Sequence, residues 1–128
     1  MIICQNEKVA YQTLVSNGEF RTVADTTVDH GGGGAGFRPH ELLEAALASC
    51  LNMTVRMYAE RHGLPVTEVR TTVSLDRRTP GRTVFEYSLE FAGDLTHEQR
   101  QKILQVVKAC PVHNTLSGTI SFRDKGYG

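Results

Sequence analysis

Residues 42–59 form a long run that is apolar on most faces, and this run constrains the fold more than any other part of the chain. Leu43, Ala46, Leu47, Cys50, Leu51, Thr54 and Met57 recur at helical spacing. Pro39 suits a first helical turn because its missing N–H has no intrahelical partner there. Glu41 complements the positive end of the helix dipole. Charge returns at Arg56, Glu60 and Arg61, and Gly63 followed by Pro65 marks the stop. A helix this apolar on most sides is expected to be buried on several of them.

The segments around this helix read as strands and one further helix. Val9, Tyr11, Thr13 and Val15 alternate with Ala10, Gln12 and Leu14, then Asn17-Gly18 signals a hairpin, with a return strand over residues 20–23. Arg21 points to the opposite face from Phe20 and Thr22. Residues 31–36 carry five glycines; with no Lys-Ser or Lys-Thr pair after them they are expected to form a mobile surface loop rather than a phosphate cradle. Val69 to Leu75 and Val84 to Phe91 alternate around a Pro80-Gly81 turn, which predicts a hairpin with one buried face. Thr96 with Gln99 three residues later predicts a capping box. Ile103, Val106, Val107 and Cys110 then lie on one helical face, and Leu116, Gly118, Ile120 and Phe122 alternate as a final strand. The chain is read as a single α+β domain over residues 1–128.

The charge balance narrows the function. Fourteen basic and fourteen acidic residues give a net charge of zero, so no basic footprint for nucleic acid or an anionic membrane is present. No run approaches a membrane span, and the first ten residues lack a signal-peptide pattern. Three cysteines are too few, and odd in number, for a secreted disulfide scaffold. A cytoplasmic protein with reduced cysteines is expected.

Cys50 and Cys110 then carry the functional argument, set against the tendency of cysteine to be an inert core residue. Small residues precede Cys50, as for a helix that something approaches closely. Cys110 precedes Pro111 and so falls near a helix N-terminus, where backbone N–H groups favour thiolate. On that ground Cys110 is expected to be the better activated thiol. Cys50 lies about 15 Å into its helix, where the dipole has faded, so as a nucleophile it requires a cation. Arg21 and Arg38 are the candidates, with Arg21 suited to a strand laid across the helix. Cys4 has no polar partner in view and is read as inert. Cys110-x-x-His113 has zinc-compatible spacing, but no second tight ligand pair exists and neither a metal nor a cofactor is assigned.

Phe37-Arg38-Pro39-His40-Glu41-Leu42-Leu43-Glu44-Ala45-Ala46-Leu47-Ala48-Ser49-Cys50 resembles the first cysteine motif of the OsmC/Ohr family, and Ala109-Cys110-Pro111-Val112-His113-Asn114-Thr115-Leu116 resembles the second. The likeness is to the broad OsmC-like branch. The resemblance implies an intertwined α+β homodimer: N-terminal strands, a long buried central helix, a β-hairpin, a second helix and a final strand, with active sites at the subunit interface. It implies a thiol peroxidase of oxidative-stress defence that reduces organic hydroperoxides. Cys50 would become a sulfenic acid, Cys110 would close a disulfide with it, and a lipoyl-type dithiol would reopen that bond.

One position departs from the pattern. The family's peroxidases place a glutamate directly after the proline that opens the long helix, where it fixes the arginine against the thiolate. Here His40 stands there and Glu41 follows. At about 100° per residue Glu41 lies opposite Cys50 on the helix, whereas His40 lies about 80° away. A neutral His40 could orient Arg21 or Arg38 by accepting a hydrogen bond. The competing readings are a catalytically inactive dimer serving as a small-molecule binding module, favoured by the missing glutamate, and a thiol redox sensor.

Overall fold

The computed structural model describes residues 1–126. The chain forms two compact units, Met1–Ala45 and Ala46–Gly128. Helix α1 (Pro39–Arg61) begins in the first and contributes most of its length to the second.

In the first unit, β1 (Ile3–Asn6), β2 (Thr13–Ser16) and β3 (Arg21–Ala24) form an antiparallel sheet in that order. The hairpin read at Asn17-Gly18 is present. Gly18 adopts φ 98°, and the Asn17 side-chain oxygen accepts from the amides of Glu19 and Phe20 at 2.9 and 2.7 Å. The strand expected from Val9 starts only at Thr13, because residues 9–11 turn back through the Gln12 amide to the Ala10 carbonyl. Strand β1 has no period-2 signal, and all four of its residues are exposed.

The glycine-rich segment is tethered, contrary to the expectation of a mobile loop. Asp25 is buried at 4% exposure, and its carboxylate accepts from the amides of Thr26, Gly33 and Ala35 at 2.7, 3.2 and 3.0 Å. Those donors hold its carboxyl below the usual range, the Ala35 bond foremost. Phe37 bridges to β3 beside this clasp. A Cβ on Gly36 would lie 2.1 Å from the Val23 carbonyl oxygen, so that approach requires glycine. Immediately downstream, Glu41 at the third helical position accepts from the Arg38 amide at 2.9 Å, half of a capping box around Pro39.

In the second unit, β4 (Val66–Asp76) and β5 (Val84–Gly93) form the expected hairpin. Val69, Val73, Phe85, Tyr87, Leu89 and Phe91 pack on a core of Leu47, Leu51, Val55, Ile103, Val107 and Cys110. The other face is polar: Arg70 and Glu90 approach to 3.9 Å across the strands. Two part-buried hydrogen bonds tie α1 to β4, from Asn52 Nδ2 to the Val69 carbonyl at 3.1 Å and from Thr71 Oγ1 to the Ala48 carbonyl at 2.7 Å. Helix α2 (His97–Val106) opens with the predicted Thr96/Gln99 box, both bonds present at 3.1 and 2.9 Å.

Two expectations are corrected. The long helix is not buried on several sides of its own chain. Only Leu47, Leu51, Val55 and Ala59 are buried, while Leu43, Met53 and Met57 are about half exposed or more, because one two-stranded sheet covers a single stripe. The final strand is also not formed among the described residues. A 3₁₀ turn over Val107–Ala109 leads into α3 (Pro111–Ser117), which takes Leu116 into a helix, and residues 118–126 carry neither helix nor strand. Alternation alone cannot make a strand without a neighbour to hydrogen-bond, and Ile120 and Phe122 are exposed at 56% and 97%.

Candidate active site

The second unit brings Cys50 and Cys110 together. All three cysteines are reduced. Cys110 ends the 3₁₀ turn and caps α3, with Sγ accepting from the His113 amide at 3.5 Å. It is 0% exposed and lies in the core cluster, with Cys50 packed against that cluster from α1. Cys50 stands close enough to Cys110 to help raise its thiol.

The electrostatics overturn the activation of Cys110 read from the sequence. Burial pushes the Cys110 thiol up, and the nearby Cys50 pushes it further; the amides of His113 and Val112 oppose this and lose. Two amides at a short helix do not offset the removal of a thiolate from water. Cys110 is therefore a protonated thiol at neutral pH. Cys50 is half-buried and is the member of the pair that an approaching solute meets.

The polar candidates each have their own neighbours. Arg21 is the first residue of β3, exposed and paired in register with Ser16. His40 is exposed in the first turn of α1. Arg38 is engaged: its Nε donates to Glu41 Oε1 at 3.1 Å, and Arg38 is the leading cause that lowers the Glu41 carboxyl. His113 stands edge-on to Tyr87, with ring centroids 6.2 Å apart, and Ser117 Oγ lies 3.4 Å from its Nδ1. Cys4 is exposed on β1. Among the described residues no three His, Cys, Asp or Glu side chains are grouped to hold a metal ion, and no helix is long and apolar enough to cross a membrane.

The family model described as OsmC-like protein matches residues 31–123, which include both cysteine motifs. The chain belongs to the OsmC-like family. Solved structures share its fold at low identity. An OsmC-like protein of Mycoplasma pneumoniae superposes with a TM-score of 0.75 at 22% identity, covering 92% of this chain and 86% of that one. An osmotic stress induced and detoxification response protein of Psychrobacter arcticus gives 0.75 at 19%, covering 89% and 85%. The organic hydroperoxide resistance protein OhrB of Bacillus subtilis gives 0.62 at 18%, covering 92% and 90%. No functionally curated protein matches the chain by sequence.

Two residues of this OsmC-like chain were missed from sequence. Asp25 orders the segment leading into α1 through partners eight and ten residues away, a spacing that no local pattern reveals. Arg82 follows the β4–β5 turn and reads as a solvated hairpin charge. It lines a cleft of about 290 Å³ together with Leu47, Phe85, Tyr87, His113 and Leu116. Leu47 belongs to the core cluster that holds Cys110 and against which Cys50 packs, so the cleft shares a wall residue with that cluster.

Proposed function

We propose that this OsmC-like chain is a two-cysteine peroxidase that reduces organic hydroperoxides. The observation that carries this reading is the gathering of a half-buried Cys50 against the same core cluster that holds the buried Cys110. Family membership supports it, as do neighbours named organic hydroperoxide resistance proteins from Legionella pneumophila and Bacillus subtilis.

In this reading the Cys50 thiolate attacks the distal oxygen of the hydroperoxide. The O–O bond breaks, the alkoxide takes a proton and leaves as the alcohol, and Cys50 becomes a sulfenic acid. The Cys110 sulfur then attacks the Cys50 sulfur. Hydroxide departs and combines with the Cys110 proton as water, leaving a disulfide. A lipoyl-type dithiol supplies two electrons and two protons to restore both thiols, itself closing to a disulfide. Contact between the thiols in the reduced state shortens the life of the sulfenic acid, which protects it from further oxidation.

A thiolate at Cys50 needs a cation, since the helix N-terminus lies about ten residues away. Arg38 is committed to Glu41, so Arg21 is assigned this part, with His40 orienting it in place of the family glutamate. The active form is a homodimer in the cytoplasm. The exposed Met53 and Met57 on α1 favour a second copy as their cover.

One equivalent of a bulky organic hydroperoxide added to reduced protein tests the cycle. Mass spectrometry should find a Cys50–Cys110 disulfide, reversed by a lipoyl-type dithiol. Unmodified thiols after long exposure would sink the peroxidase reading.

A further inference from the structure

We propose that Arg82 makes the cleft beside the cysteines selective for an amphiphilic carboxylate, so that hydroperoxides carrying a carboxylate are favoured over neutral ones of the same length. This deepens the peroxidase reading and rests on it. The cleft has an apolar floor of Leu47, Phe85 and Leu116 and a polar rim that includes Arg82, His113 and Ser117. Among the described residues no acidic side chain lines it, and Arg82 brings it a positive charge. A competitor for Arg82 is Asp76, with which it lines a second hollow. Asp76 is already held by Arg78, whose Nε and Nη2 donate to its two carboxylate oxygens at 2.9 and 2.6 Å. Arg82 also acts on Asp76 through its charge, but the bidentate Arg78 pair holds both carboxylate oxygens and leaves the Arg82 fork available to an incoming anion. Leu47 on the cleft floor belongs to the core cluster that holds Cys110 and against which Cys50 packs, and His113 on the rim bonds the Cys110 sulfur through its amide. A chain whose carboxylate sits at Arg82 would lay its apolar length on Leu47 and Phe85, toward Cys50.

The test compares an ω-hydroperoxyalkanoate with its methyl ester, using the full-length reduced protein with a dithiol reductant. Wild type should show a lower KM for the acid than for the ester. Arg82 is exposed, so R82Q leaves the core untouched. It should raise the acid KM relative to the ester KM by about tenfold, as expected for one partly screened charge-assisted contact. R82K should recover part of that ratio, and salt should shrink it in wild type. An acid-to-ester ratio that is the same in wild type and R82Q overturns the proposal. If neither peroxide is turned over, the peroxidase reading fails by itself, and calorimetry with octanoate and methyl octanoate decides the cleft. Octanoate binding that is lost in R82Q sustains the anion site. Equal binding of both probes, or binding of neither, ends it.

Discussion

A sulfur fully removed from solvent and a neighbouring sulfur at its edge differ in what can reach them. Iodoacetamide at neutral pH should label Cys50 well before Cys110, with Cys110 modified only on unfolding; peptide mapping over time checks this. Labelling of Cys110 first would contradict the assigned roles. The raised Cys110 thiol also ties stability to alkaline pH. Its folded-state pKa lies above its unfolded value, so the stabilisation is complete below the unfolded thiol pKa and is lost as pH rises through the folded one. Melting temperature should fall across that alkaline window, and Cys110→Ala should flatten this part of the decline. Activation was the property least legible in the sequence. Pro111 announced a helix start and hence a thiolate, whereas the core that surrounds Cys110 is built from Leu47, Leu51, Val55, Ile103 and Val107, drawn from distant parts of the chain.

At the level of elements, local chemistry was readable and partnership was not. The Thr96/Gln99 box, the Asn17-Gly18 turn and the β4–β5 hairpin each depend on residues close in sequence, and all three form. Thr96→Ala should lower stability by about 1 kcal/mol, as loss of a cap does, measured by urea denaturation. Leu51→Ala, at 0% exposure in the centre of the core, should cost about 2–5 kcal/mol in the same measurement. Strand β1 escaped notice because its side chains are exposed and its identity comes from pairing Ile3 with Ser16 through Asn6 with Thr13. The segment after Ser117 failed in the opposite sense: its alternation is clear, yet among the described residues no strand accepts it. Asp25 belongs to the same class of long-range partnership.

For the whole molecule, the half-exposed methionines of α1 carry the prediction. Met53 and Met57 line a groove of about 460 Å³ against Leu64, Val66 and Val69. Sedimentation should give twice the chain mass, and Met57→Glu should shift the equilibrium toward single chains by burying an unpaired charge. A wild-type monomer at micromolar concentration would remove the assigned cover.

The buried positions of α1 step by four: Leu47, Leu51, Val55, Ala59. Each step of four overshoots a full turn by about 40°, so the line winds around the helix by about 120° from first to last. A flat ribbon could not stay beneath such a line, whereas a hairpin with the natural right-handed twist of strands can follow it. Registration between helix and ribbon is therefore angular as well as linear. Inserting a single residue between Leu47 and Ala59 would swing every later side chain by about 100° off its track, a far heavier injury than any one substitution along it.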